Sequence, residues 1–113
     1  MMEWNNITDT NQIDLLIKSS FDKPQVIFKH STRCSISSMA LNRFERLWNY
    51  DEKTVIPHFL DLIEYRQLSN AIAIQFNIMH ESPQLLLIKN GVCIYNASHN
   101  GISVATISGY LNK

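Results

Sequence analysis

Apolar residues recur along this chain at two spacings, and the alternation between the two predicts its elements. From Asp9 to Ser20, Ile13, Leu16 and Ile17 keep helical spacing, and Thr8 or Asp9 is placed to cap the start. Asp22-Lys23-Pro24 reads as a turn. Gln25 to Lys29 follows as a short apolar run rich in branched residues, which suits a strand buried on both faces. A polar stretch runs from His30 to Ser35. Beyond it, Ile36, Met39, Ala40, Phe44, Leu47 and Trp48 form the strongest helical stripe in the chain, read as a helix packed on a sheet.

Thr54 to Glu64 holds a second strand, expected to start after Pro57 because proline is poorly tolerated in a central strand. Leu68, Ala71, Ile72 and Phe76 mark a helix between Tyr65 and Phe76. His80-Glu81-Ser82-Pro83 is a loop. Leu85 to Ile88 and Val92 to Tyr95 flank Lys89-Asn90-Gly91, and Asn-Gly between two such runs predicts a hairpin with a type I′ turn. Ser103 to Leu111 closes as a helix with Val104, Ile107 and Leu111 inward. The first two strands need crossover helices and so run parallel. The expected architecture is α/β: a mixed four-stranded sheet (parallel pair plus C-terminal antiparallel hairpin) with helices on both faces. This is the element order of the thioredoxin fold, in a single domain over residues 1–113.

Composition narrows the functional classes. Apolar residues make up 45% of 113 and charged residues 18%, as in an ordinary folded domain. Ten basic and ten acidic residues cancel, which argues against a nucleic-acid partner and against a polybasic membrane anchor. No apolar run approaches the roughly 20 residues of a membrane span. The start, Met-Met-Glu-Trp-Asn-Asn, lacks the pattern of a secretory signal, and two cysteines are too few for a secreted disulfide scaffold. A cytoplasmic monomer with reduced thiols is expected.

Cys34 is the residue that carries chemistry. It lies between a buried strand and the first turn of the best helix. The unpaired N–H groups and the positive end of the helix dipole favour thiolate there. Arg33 is adjacent, and Lys29 and His30 are close enough in sequence to add positive potential. Ser37 stands where a dithiol oxidoreductase has its second cysteine, and its hydroxyl is expected to hydrogen-bond the thiolate. Without that second thiol, the chemistry should stop at a mixed disulfide and wait for an outside thiol. Pro83 precedes the hairpin, where this fold commonly places a cis proline facing the nucleophile. The backbone of Ser82 would then pair with an incoming disulfide as a strand edge does. Thr32, in the loop before Cys34, joins Ser82 and Pro83 as a candidate substrate contact. Cys93, within an apolar run, reads as structural. No residue set has the spacing of a metal site; His30 and Cys34 are four apart but across a loop, and His58 and His99 have no evident partners.

The run Phe28-Lys29-His30-Ser31-Thr32-Arg33-Cys34-Ser35-Ile36-Ser37 resembles the monothiol bacilliredoxin family. So do His80-Glu81-Ser82-Pro83-Gln84, Ile88-Lys89-Asn90-Gly91 and Ala97-Ser98-His99. The resemblance implies removal of bacillithiol from S-thiolated client proteins, with Cys34 as nucleophile, Ser37 as the non-resolving fourth position and Ser82-Pro83 as the docking loop. Bacillithiol would be the thiol co-substrate, with no cofactor. Ser35 departs from the family's usual proline after the nucleophile, and it exposes an additional N–H near the sulfur. Two other readings stay open: an iron–sulfur cluster shared between subunits, and a non-catalytic thioredoxin-fold adaptor.

Overall fold

The computed structural model describes residues 2–111. Six consecutive buried residues, Gln25–His30, form the strand β2 at the centre of a five-stranded sheet of order β1-β3-β2-β4-β5. Its neighbours are β3 (Ile56–Asp61), parallel, and β4 (Gln84–Lys89), antiparallel. The strand β5 (Val92–Ser98) pairs antiparallel with β4, and β1 (Asn5–Asn6) pairs parallel with β3. The sheet therefore has five strands, not the four expected. The strand that sequence missed is two exposed asparagines, which carry no hydrophobic alternation.

Alternation along β2 sorts the core into two layers. Ile27 faces Ile13, Leu16, Leu68, Ile72 and Phe76, on the side of α1 (Thr10–Ser19) and α3 (Arg66–Phe76). Val26 and Phe28 face Ala40, Phe44, Val104 and Ile107, on the side of α2 (Ser35–Leu47) and α4 (Val104–Leu111). Leu111 packs half-buried against this second layer.

Local chemistry sets the boundaries. Asp9 caps α1 through a capping box: its carboxylate accepts from Gln12 N–H at 3.1 Å, and Gln12 Oε1 accepts from Asp9 N–H at 3.0 Å. The hairpin turn has positive φ at Asn90 (54°) and Gly91 (80°), as the Asn-Gly pair predicts. It is tied back to the end of α1, where Ser20 accepts from Asn90 N–H through its carbonyl and from Gly91 N–H through Oγ, both at 2.9 Å.

Two expectations are corrected. Pro57 lies inside β3, between two strands. Ile56 N–H donates towards β2, to Pro24 O at 3.1 Å, so the nitrogen of Pro57 faces the other side. There β1 is only two residues long and begins at Asn5, opposite His58. No ladder bond is lost, and Asn5 Nδ2 donates to the Pro57 carbonyl at 3.1 Å. On α2 the buried stripe runs through Ser37, Ala40 and Phe44, with Leu41 and Trp48 packed beside it. Ile36, Met39 and Leu47 are 51%, 71% and 55% exposed. The helical period is as expected, but its phase is set by a stripe that includes a serine.

Candidate active site

The chain leaves β2 at His30, turns through Ser31, Thr32 and Arg33, and enters α2 at Cys34. The turn closes with Cys34 N–H donating to Ser31 O at 3.2 Å. Cys34 is the N-cap of α2, with extended backbone (φ −118°, ψ 119°), and its carbonyl accepts from Ser38 N–H at 3.1 Å. Its side chain makes no capping hydrogen bond. The N–H groups of Ser35, Ile36 and Ser37 have no preceding carbonyl in the helix and lie at the end where the sulfur sits. Cys34 is half-buried, while Thr32, Arg33 and Ser35 are exposed around it.

Ser37 is fully buried. Its Oγ accepts from Ser31 N–H at 3.0 Å and lies 2.7 Å from His30 Nδ1. The hydroxyl that sequence assigns to the thiolate is thus engaged by His30 and Ser31. His30 itself is 7% exposed, and its ring lies 5.6 Å from that of Phe59. Burial lowers its pKa from 6.5, against opposing pulls from Asp61 and Glu45, so the ring is neutral near pH 7. Sequence placed His30 only as nearby positive charge. The signal that would have found its partner is the alternation of β2, which puts His30 on the same face as Phe28, towards α2.

Lys29 does not approach the thiol. It points to the opposite face and is fully buried, and its Nζ donates to Ser69 O on α3 at 3.0 Å. Burial pushes its pKa from 10.5 down to about 8.

The loop before β4 reaches the same end of the sheet. Gln84 is paired with Lys29 in the antiparallel register, so Pro83 and Ser82 continue alongside His30 and Ser31. The Ser82–Pro83 peptide bond is cis. Pro83 O accepts from His99 N–H at 3.1 Å, at the start of a single 3-10 turn, His99–Gly101. The backbone N–H and C=O of Ser82 make no hydrogen bond among the described residues. Its Oγ is buried without a partner.

Cys93 lies at the other end. It pairs with Ile88, which pairs with Gln25, the first residue of β2. Cys34 comes after His30, the last. The length of β2 alone separates the two thiols by roughly 16 Å at about 3.3 Å per residue, whereas a disulfide needs Cα atoms within about 7 Å. Cys93 Sγ donates to Tyr95 O at 3.2 Å, and burial pushes its thiol up. Among the described residues no three His, Cys, Asp or Glu side chains converge as a metal site.

The family model described as monothiol bacilliredoxin BrxC matches residues 5–107. The chain belongs to the monothiol bacilliredoxin family. Solved structures agree on the fold. A thioredoxin-fold protein provisionally described as an oxidoreductase is 27% identical, with a TM-score of 0.80 over 96% of this chain and 93% of its own. The thioredoxin Mala s 13 of Malassezia sympodialis is 18% identical, with a TM-score of 0.74 over 99% and 90%. Thioredoxin F from spinach chloroplast is 15% identical, with a TM-score of 0.70 over 97% and 91%. The last two share the fold alone. Family and fold together make this chain a thiol redox protein, an oxidoreductase of the thioredoxin type.

Proposed function

We propose that the chain frees bacillithiolated protein cysteines through a mixed disulfide on Cys34. The Cys34 thiolate attacks the bacillithiol sulfur of the client disulfide, and the client cysteine leaves as thiolate. Cys34 now carries bacillithiol. A second bacillithiol thiolate attacks that carried sulfur, forming bacillithiol disulfide and releasing the Cys34 thiolate. The partners are a low-molecular-weight thiol and S-thiolated clients in a reducing cytoplasm, with no cofactor beyond the thiol co-substrate.

The observation that carries this reading is the isolation of one thiol at a helix N-terminus. Cys34 caps α2, position 37 in the same turn is serine, and Cys93 is at the far end of the sheet. Internal resolution therefore has no second sulfur. Helix-end N–H groups, with Arg33 and Ser35 beside the sulfur, would hold the thiolate. The open backbone of Ser82, next to Pro83, supports docking of an extended segment, with Thr32 on the exposed rim.

The test is intact mass after incubation with oxidised bacillithiol, oxidised glutathione and oxidised coenzyme A in parallel. A single adduct on Cys34 with bacillithiol, released by added thiol and absent in Cys34→Ser, is expected. Absence of any adduct on the wild type would overturn the exchange mechanism. An equal adduct with all three would overturn the bacillithiol assignment while leaving monothiol exchange.

A further inference from the structure

We infer that His30 is a positioning residue for Cys34: its Nδ1 holds the Ser37 hydroxyl proton away from the sulfur, and protonation of the ring releases that proton to the thiolate. The inference rests on Cys34 being the working thiol, as proposed above.

A serine hydroxyl has one proton to give and two lone pairs. At Ser37 one lone pair takes the Ser31 N–H. The hydroxyl's own proton needs an acceptor, because Ser37 is fully buried and an unmet donor there is costly. The acceptor within bonding distance is Nδ1 of His30, at 2.7 Å. While the ring is neutral, with its proton on Nε2, the chain of bonds runs from Ser31 N–H to Ser37 O–H to His30 Nδ1. The sulfur of Cys34, one turn back on α2, receives nothing from Ser37.

Protonation reverses the contact. An imidazolium donates from both nitrogens, so Nδ1–H now points at the second lone pair of Ser37 Oγ. The hydroxyl proton must turn elsewhere. Ser37 is three residues beyond Cys34, so the two side chains are neighbours on one face of the first turn. A thiolate at Cys34 is the acceptor that position offers. The proton gained on Nδ1 is thus answered by a hydroxyl proton turned towards the sulfur, with no covalent change.

Burial lowers the ring's pKa from 6.5, so its protonation belongs to the acid limb, and two carboxylates oppose that shift. Asp61 is the register partner of His30 on β3, and Glu45 projects from α2; both favour the protonated ring against its burial. Glu45 also accepts from Trp4 Nε1 at 2.7 Å. Lys29 lies on the opposite face of the sheet, Arg33 is exposed in the turn, and Glu81 faces His99 at 3.9 Å. Of the charged groups, Asp61 and Glu45 are the ones that act on the ring.

The experiment is the pH dependence of Cys34 alkylation by iodoacetamide, read by peptide mass so that Cys93 is scored separately, with ultraviolet thiolate absorbance in parallel. Four proteins are compared: wild type, His30→Phe, Ser37→Ala and the double variant. Phenylalanine keeps a ring against Phe59 and removes both nitrogens. It should raise the neutral-pH alkylation rate about threefold: roughly tenfold in thiolate from one charge-assisted hydrogen bond, less the lower nucleophilicity of a more acidic thiol. In the Ser37→Ala background the same change should do nothing. Wild type should show a shoulder on the acid limb, and Ser37→Ala should lose it. An equal effect of His30→Phe in both backgrounds, or a shoulder that survives in Ser37→Ala, would mean a through-space charge and would overturn the relay. Ser37→Ala alone carries the acid-limb test if His30→Phe does not fold. A wild type that forms no bacillithiol adduct would refute the proposed function without touching this readout.

Discussion

Lys29 brings an ammonium into the layer between the sheet and α3, next to the residue that ends β2 and opens the site. It is fully buried, and its Nζ donates to Ser69 O at 3.0 Å. Burial takes its pKa from 10.5 to about 8. At 1.36 kcal/mol per unit, keeping the charged form in the fold costs on the order of 3 kcal/mol. The sign follows from proton counts. Between about pH 8 and 10.5 the unfolded chain keeps this proton and the folded chain has lost it. Stability therefore rises with pH across that window. Below it both states are charged and the cost is present in full; above it both are neutral and the cost is gone.

The substitution that isolates this is Lys29→Met, which keeps the unbranched stem and removes the titration. Ser69 O belongs to α3, so the carbonyl retains its place in the helix ladder when the lysine goes. Urea unfolding is followed in reducing buffer from neutral pH to above the lysine range. Other lysines and tyrosines titrate in both proteins and cancel in the difference. Below pH 8 the variant should be the more stable, by roughly 3 kcal/mol less the 1.5 or so lost with a hydrogen bond from a charged donor. The wild type should then gain on it by on the order of 3 kcal/mol as pH rises through the window. A difference that stays constant with pH would refute the reasoning, because it would mean that the ammonium reaches water in the folded state.

Two further predictions concern the end of the sheet away from Cys34. Gly91→Ala puts a Cβ at φ 80° and 3.0 Å from Phe21 Cζ. The exposed Phe21 ring can move, so the backbone term dominates, and thermal unfolding should show a loss of about 1–2 kcal/mol; an unchanged midpoint would contradict the turn assignment. His58, whose Nε2 is 2.7 Å from Gln25 Oε1, is pushed by burial from 6.5 to about 4. Its charge appears first in the unfolded chain, so stability should fall as pH drops from 6.5 towards 4, by up to about 3 kcal/mol. His58→Leu should flatten that acid limb in urea titrations, and an acid limb of unchanged slope would count against the buried neutral imidazole.

What the sequence disclosed and what it hid have physical reasons. β2 was legible because Val26, Ile27 and Phe28 form an unbroken apolar run between polar ends. The hairpin was legible because positive φ at two adjacent positions demands particular residues, and Asn90-Gly91 supplies them. The start of α1 was legible to within a residue, Thr8 or Asp9, because an N-cap favours a short polar side chain, and Asp9 takes that role. β1 was not, because its two exposed asparagines are strand only by virtue of the neighbour they meet. Pro57 misled because the rule against proline in central strands assumes a full-length partner on both sides. The phase of α2 misled because its buried stripe passes through Ser37, a polar residue that the hydrophobic pattern skips. At the site, Cys34 and the Ser82–Pro83 loop could be placed from element order. The pairing of His30 with Ser37 could not, since it joins a strand end to a helix turn across a bend that leaves no periodic trace.

The same pairing makes Ser37→Cys the sharpest probe of one-thiol chemistry. Cys34 and position 37 are the N-cap and third residue of one helix turn, the spacing of a dithiol pair. A cysteine there would offer the second sulfur that the wild type lacks and that Cys93, a strand length away, cannot supply. With oxidised bacillithiol the wild type should hold one bacillithiol on Cys34. In Ser37→Cys the new thiolate should displace it, so the protein ends as an internal disulfide two hydrogens lighter, with bacillithiol released. The exchange has a structural cost. Sulfur is a weak acceptor, so Ser31 N–H and His30 Nδ1 each lose an oxygen partner that lies at 3.0 and 2.7 Å in the wild type. That loss should destabilise the reduced variant by roughly 1–3 kcal/mol, readable in urea, and the internal disulfide should recover part of it. A stable bacillithiol adduct on the folded variant, with the thiol at position 37 still free, would show that something other than the missing second sulfur stops the reaction at the mixed disulfide.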